Sequence, residues 1–296
     1  MSYELKWGEK EAIGRIAAAV RGDEEDPALV ATYINWPWRY QMASIITGTA
    51  IDSDAQAFIT RSGATDIEGV DRFVKGIKNL GLWNSMVCWP LRSGQNAGTG
   101  TTVYPLGGLG TFNGTLVNGP TWGANGLTTI FTNTSFGSVS NQHATTSLFF
   151  SSPLRGAISV ANPVYDGLQG GRFFAPITGP CMDGYAIANG FRALHGAQYT
   201  FGSSRVAGQW NFAGVGFKTS TNWGGANASY FEYATGAAST QTVGFSPLGA
   251  PPSGGYSQVG TYAFAMAYDG VEFTSAMFSA VRNLYKATLG FGLGLP

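Results

Sequence analysis

Beyond residue 81 the chain carries five carboxylates, Asp166, Asp183, Glu232, Asp269 and Glu272. Glycoside hydrolysis usually takes two carboxyls held about 5–10 Å apart, one to protonate the leaving oxygen and one to act as base or nucleophile. Glu232 stands alone within Tyr230-Phe-Glu-Tyr233, and Asp269 and Glu272 bracket a turn and a helix start. A hydrolytic pair would have to come from distant strands. Acyl transfer finds no Gly-x-Ser-x-Gly elbow, and His143 and His195 have no acidic neighbour in sequence to orient an imidazole. Both read as loop or surface histidines. Gly107-Gly-Leu-Gly110 lacks the lysine and the helix of a phosphate loop. Asp166 and Asp183 sit singly in Asp-Gly turns, whereas a calcium loop needs clustered oxygens. Cys88 and Cys181 are 93 positions apart with no Cys-x-x-Cys, and they read as buried small hydrophobes. Neither a metal site nor a cofactor is expected.

Sugar binding needs other residue types: aromatic faces to stack on rings and amides to satisfy hydroxyls. Gln209-Trp210-Asn211 and Thr221-Asn-Trp-Gly-Gly-Ala-Asn227 have that composition, with Tyr230 close behind. Trp210, Asn222, Trp223, Asn227 and Tyr230 form the candidate glycan-binding set. The competing reading makes Trp210 a core residue and Trp223 the cap of a loop.

The scaffold for these residues follows from composition and period. The 296 residues hold 17 Lys+Arg and 17 Asp+Glu, and charged residues are 11% of the chain, less than half the usual share of about 25%. A balanced chain has no electrostatic footprint for phosphates, so a nucleic-acid partner is not expected. The longest apolar stretches fall well short of a membrane span, and Met1 to Lys10 lacks the apolar core of a secretory signal. Assembly in a cytoplasm is the expectation.

Charge is unevenly placed: 21 of the 34 charged residues fall within residues 1–80. The boundary expected on this ground separates 1–81, a helical and aromatic region, from 82–296. In the first part, residues 9–20 have the spacing of a short amphipathic helix, and residues 21–27 read as an exposed charged turn containing Arg-Gly-Asp. Asp54–Arg61 and Asp66–Asn79 read as a helical hairpin, with Asp66 as N-cap and Gly81 as a left-handed stop. Between the helix over 9–20 and this hairpin, Tyr33, Trp36, Trp38, Arg39 and Tyr40 crowd around Pro37. This is either a loop packed on the sandwich or a docking patch for the virion or another subunit, because such residues dominate interface hot spots.

From Leu82 onward, short apolar runs alternate with turn residues every eight to twelve positions, among them Asn118-Gly119, Asn125-Gly126, Asp183-Gly184, Gly224-Gly225 and Asp269-Gly270. That pattern predicts ten or more antiparallel strands in a mainly β, two-sheet sandwich. Expected strands include 128–131, 146–150, 156–160, 184–188, 206–212, 214–219, 228–233 and 261–268. Residues 271–289 have helical spacing and close the chain as a helix against the sandwich. The glycine-rich tail from Gly290 to Pro296 is expected to fray unless a neighbouring subunit covers it.

Gly114-Thr-Leu-Val-Asn-Gly-Pro-Thr-Trp122, within the run from Leu109 to Leu127, resembles the opening of laminin-G-like jelly rolls of the concanavalin A-like superfamily. There Thr115–Val117 is the first strand, Asn118-Gly119-Pro120 the reversal, and Trp122 starts the return strand. Val70 to Met86, a helix followed by Gly-Leu-Trp, is similar to the lead-in before such jelly rolls in structural proteins of tailed bacteriophages. The resemblance runs from about residue 66 to 290 and implies a concanavalin A-like jelly roll with N-terminal helices and a C-terminal helix. Laminarinase-like enzymes of that superfamily carry two glutamates and an aspartate on one strand. Glu232 alone does not meet that pattern, so the resemblance implies no enzymatic activity. It implies a virion protein displayed on the particle as capsid decoration, head fibre or tail fibre. Its partners would be other capsid or tail proteins and, as a homo-oligomer, copies of itself. Two other readings stay open: an adhesin for host cell-surface glycan, and a glycan depolymerase.

Overall fold

The computed structural model describes residues 50–130, 142–150, 154–163, 172–176, 181–185, 190–195, 197–201, 208–219, 222–227, 230–235, 243–246, 248 and 260–295. The chain divides into two compact units, Met1–Ser53 and Asp54–Pro296. The expected helix over 9–20, the turn over 21–27, and Tyr33, Trp36, Trp38, Arg39, Tyr40 and Asp166 lie outside the described residues.

The second unit opens with the helical hairpin, α1 (Ser53–Ser62) and α2 (Ile67–Asn79). Asp66 caps α2 by accepting from the Gly69 amide at 3.0 Å, satisfying a donor the first turn leaves open. Gly81 ends the segment at φ 70°. Val70, Phe73, Val74 and Ile77 form the buried stripe of α2, and Phe73 meets Phe264 edge-on at 5.7 Å. Lys78 pairs with Asp54 between the two helices. The drop in charge after residue 80 is therefore no unit boundary: the charged helices and the nearly uncharged strands share one core.

Among the described residues the first sheet runs β15 (Tyr230–Thr235), β14 (Asn222–Asn227), β13 (Asn211–Thr219), β8 (Arg155–Pro163), β17 (Gly260–Asp269), β5 (Gly126–Thr129) and β4 (Thr121–Gly123), with β1 (Met86–Pro90) also on β17. The second runs β12 (Ala197–Phe201), β11 (Gly190–His195), β10 (Cys181–Tyr185), β9 (Arg172–Pro176), β16 (Val243–Ser246) and β7 (Phe149–Phe150). A small third sheet joins β2 (Thr102–Val103), β3 (Gly114–Val117) and β6 (His143–Thr145). Every pairing in these sheets is antiparallel. One buried cluster, including Val87, Trp89, Val215, Phe217, Phe245 and Ala265, draws on the first two sheets, and Leu116 and Ala144 of the third join it.

The opposite face of the first sheet carries Phe264, Tyr268 and Phe212 and is covered by α2 and by α3 (Ser275–Ala287). Phe212 meets Phe278 of α3 at 5.2 Å, and Phe264 meets Tyr285 at 4.7 Å. Glycines shape this face. Gly216, Gly156 and Tyr268 stand directly opposite one another on three adjacent strands. A Cβ on either glycine would overlap the Tyr268 hydroxyl, so the phenol lies across the two glycines and donates to the Val215 carbonyl at 3.3 Å.

Several local expectations are corrected. Asn118 (φ 62°) and Gly119 (φ 73°) do form a left-handed bend, yet β3 and β4 belong to different sheets, so the bend carries the chain between sheets and closes no hairpin. The tight hairpin is β4–β5, closed at Gly123 and Gly126. Asp183-Gly184 and Gly224-Gly225, read as turns, lie inside β10 and β14. The strands expected over 206–212 and 214–219 are one strand, β13, entered after Gly208 (φ 78°). Strand β5 begins at Gly126, not Thr128, and β10 covers Cys181–Tyr185 where a strand from Gly184 was expected. Helix α3 starts at Ser275 because Thr274 caps it, its hydroxyl accepting from the Met277 amide at 3.1 Å. Phe273, expected on the helix, is instead a buried plug before it.

The tail is not frayed, and its own chain holds it. Arg92 Nη1 donates to the carbonyls of Leu289 and Phe291 at 3.0 and 2.9 Å, and its Nε to Ala124 at 3.0 Å. Gln95 Nε2 donates to Leu289 as well, at 2.8 Å. Leu293 and Leu295 are buried, while Phe291 is 77% exposed.

Candidate functional site

Register on β13, β14 and β15 places the candidate glycan-binding residues. Trp223 pairs with Phe217 and Ala234; Asn227 pairs with Ala213 and Tyr230. Trp223, Asn227 and Tyr230 therefore share a face with Phe217 and Ala213, both buried in the intersheet cluster. Asn222 pairs with Thr219 across a register shift and, next to Trp223 in sequence, falls on the other face. Trp210 is half-buried one position before β13, about 23 Å along the strand from Phe217 at 3.3 Å per residue. The five residues do not converge on one surface.

The carboxylates stand apart as well. Glu232 is opposite Gly225, in line with Val215. Asp269 is opposite Arg155, a buried arginine whose guanidinium pKa is lowered by burial and raised by Asp269. Glu272 is exposed in the turn before α3; with burial as the larger cause, it raises the Tyr233 phenol pKa. Asp183 lies between Arg172 and Arg192 on its two neighbouring strands. No two of these described carboxylates are cross-strand partners.

His143 is not a loop or surface residue: it is buried on β6, opposite Val117. His195 lies on β11, opposite Ala197. Cys88 is fully buried in β1, and burial raises its thiol pKa well above the ordinary value, which keeps it protonated and unreactive. Among the described residues no group of three or more His, Cys, Asp or Glu could hold a metal ion. No described helix is long and apolar enough to cross a membrane.

Phe245 is buried and stacks on Trp89 at 5.3 Å, so its face is the inward one. Phe245 pairs with Pro176; two residues along, Phe174 pairs with Met182, whose row continues through Ala193 and Tyr199. Gly184, Phe191 and Phe201 are cross-strand partners in a further row. At the alternate positions Asp183 is paired with Arg192 and Arg192 with Thr200 in one cross-strand row. Arg172 joins it because the register shifts between Met182 and Asp183, the signature of a bulge that re-aims a strand. This row escaped the sequence reading, since Asp183-Gly184 imitates a turn and residues as distant as 172 and 192 meet only through strand order.

The sequence matches no protein-family model, and no curated protein matches it. Solved structures are similar in fold. A mutant of Trypanosoma rangeli sialidase displaying trans-sialidase activity shares 11% identity at a TM-score of 0.50, over 76% of this chain and 40% of that one. The T. rangeli sialidase in complex with sialic acid gives 11% identity and 0.48, over 69% and 33%. A carbohydrate-binding module of Ruminococcus gnavus sialidase, bound to α2,3 sialyllactose, gives 13% and 0.35, over 44% and 83%. The chain thus spans well under half the length of those sialidase chains. The architecture among the described residues, two larger antiparallel sheets packed face to face with a small third sheet and a few helices, is a jelly-roll-like β-sandwich.

Proposed function

We propose that this chain is a non-catalytic β-sandwich module displayed on a virion, attached through its N-terminal region and holding saccharide on an outward sheet face. The observation that carries the reading is the sheet arrangement: α2 and α3 pack on the first sheet, on the face turned away from the intersheet cluster. The separation of the described carboxylates favours holding over hydrolysis, because an acid and a base must flank one glycosidic bond. The virion setting rests on the similarity of residues 70–86 to the lead-in before such jelly rolls in structural proteins of tailed bacteriophages. Many copies on a particle would give weak contacts avidity without a deep pocket.

Two measurements test this. Mass spectrometry and immuno-electron microscopy of purified virions should find the protein at an exterior position in many copies; its absence from particles removes the structural role. Incubation with bacterial surface polysaccharides should release no reducing ends. Release that disappears in Glu232→Gln would make the protein a depolymerase.

A further inference from the structure

We infer that the row Thr121–Thr128–Thr261–Asn162, closed at one end by Trp210, is a binding strip for an extended, uncharged saccharide chain lying across the first sheet. The inference rests on the saccharide-holding reading above and adds to it the face, the residues and the ligand class. Thr121 of β4 is opposite Thr128 of β5, Thr128 is opposite Thr261 of β17, and Thr261 is opposite Asn162 of β8. The neighbouring row, Trp122–Leu127–Tyr262–Ala161, packs in or against the intersheet cluster. The threonine row therefore points away from that cluster. Asn211 is opposite Ala161, which sets Trp210 at the Asn162 end of the row. Two positions on, and on the same side of β13, Phe212 is buried against Tyr285 of α3, as is Phe264. The helix cover stops short of the row: Thr121 is exposed, and Thr128, Thr261, Asn162 and Trp210 are half-buried.

What the row offers suits sugar hydroxyls and gives an ionic ligand nothing to pair with, since no residue in it is charged. The Thr128 and Thr261 hydroxyls lie 3.1 Å apart. One proton serves that bond, and the other stays free to be donated outward. Two polar groups at the far end lack partners among the described residues. Asn162 Oδ1 is buried and accepts no hydrogen bond, and the half-buried Trp210 carries its indole N–H without an acceptor. Groups that serve packing alone are normally satisfied when buried. A sugar hydroxyl both donates and accepts, so one such group can take the indole proton and give its own to the amide. The amide needs only a turn about its terminal torsion, which is soft. The Trp210 ring makes no aromatic contact among the described residues, which leaves it free to stack on a sugar face. Four strand spacings of about 4.8 Å make a strip about 19 Å long. That spacing is close to the advance of one pyranose in an extended β-linked chain, so successive sugars meet successive strands.

The unsatisfied amide gives a signed test. Full-length protein is titrated by surface plasmon resonance with glucomannan as the extended neutral probe, dextran as the flexible neutral one and polygalacturonate as the charged one. Saturable binding of glucomannan is expected, tighter than that of the other two. Trp210→Ala should weaken it at least tenfold. Thr128→Val together with Thr261→Val, which keeps the β-branched shape and removes both hydroxyls, should weaken it severalfold. Asn162→Ala should also weaken it severalfold, while its melting temperature stays level or rises because an unsatisfied group is gone. A lower melting temperature with unchanged binding would make Asn162 structural and overturn its part in the strip. Thermal melting also checks that the other variants are folded. Glucomannan binding indifferent to all these substitutions overturns the site. Preference for polygalacturonate overturns the uncharged class, and dextran held as tightly as glucomannan overturns the extended geometry. Binding of dextran or polygalacturonate alone, unchanged by the variants, overturns this inference and leaves the saccharide reading standing. Binding of none of the three overturns both.

Discussion

Single residues in this protein often act by being small. Gly216 and Gly156 make room for Tyr268, whose ring also stacks at 6.2 Å on Phe273. At Gly216 an added methyl would overlap the phenol and stand 2.8 Å from Phe273 Cβ. Gly216→Ala is therefore expected to cost about 1–3 kcal/mol, the usual range for overpacking a filled core. A urea titration reads this directly, and an unchanged midpoint would show that Tyr268 moves aside at no cost. The abundance of glycine thus has a packing cause here as well as a turn-forming one. Gly126 combines both, with φ 147° and a Cβ position that would strike the Tyr262 carbonyl.

At the scale of elements, the chain's closure depends on Arg92. Its three carbonyl partners tie the β1 exit to the hairpin at Ala124 and to the tail at Leu289 and Phe291. A charged donor removed from such a site costs about 1.5–3 kcal/mol. Arg92→Ala should lower stability by that order and speed amide exchange at residues 289–295, because the glycines there resist opening only while anchored. Exchange confined to its parental rate would place the anchor in the burial of Leu293 and Leu295 instead. Thr274→Ala removes the α3 cap and should cost about 1 kcal/mol, read as a lower melting temperature.

For the whole molecule, three buried groups set an alkaline limit. Burial is the first cause that raises Cys88, Tyr268 and Tyr285, each above its ordinary value. A proton held more tightly in the folded state gives stability that is complete below the unfolded pKa. It is eroded as pH climbs from there toward the higher folded value. The urea midpoint should hold between pH 7 and 8 and fall once pH passes about 8.5–10, where an unfolded thiol and phenols ionise. A midpoint that stays level to pH 10.5 would contradict the burial of these groups. At the same scale, a fragment of residues 54–296 should melt cooperatively on its own, since α1, α2 and the sheets form one unit. On the proposed reading it should also fail to join virions. Normal incorporation would move the attachment role out of the N-terminal region.

The sequence by itself determined what local spacing controls. The 3.6-residue stripe of Val70, Phe73, Val74 and Ile77 specified α2, Asp66 and Gly81 specified its ends, and repeated turn residues specified a sandwich. Each of these depends on a residue and its near neighbours. Tertiary structure alone decided which strands are neighbours. It put β3 and β4 in different sheets despite a bend that looks like a hairpin, and it buried His143. It also set Trp223 opposite the buried Phe217. The row joining Arg172, Asp183 and Arg192 has the same origin. Cross-strand partners are fixed by long-range pairing and by a bulge, and a one-residue change of register turns an inward side chain outward. No window of sequence contains that choice.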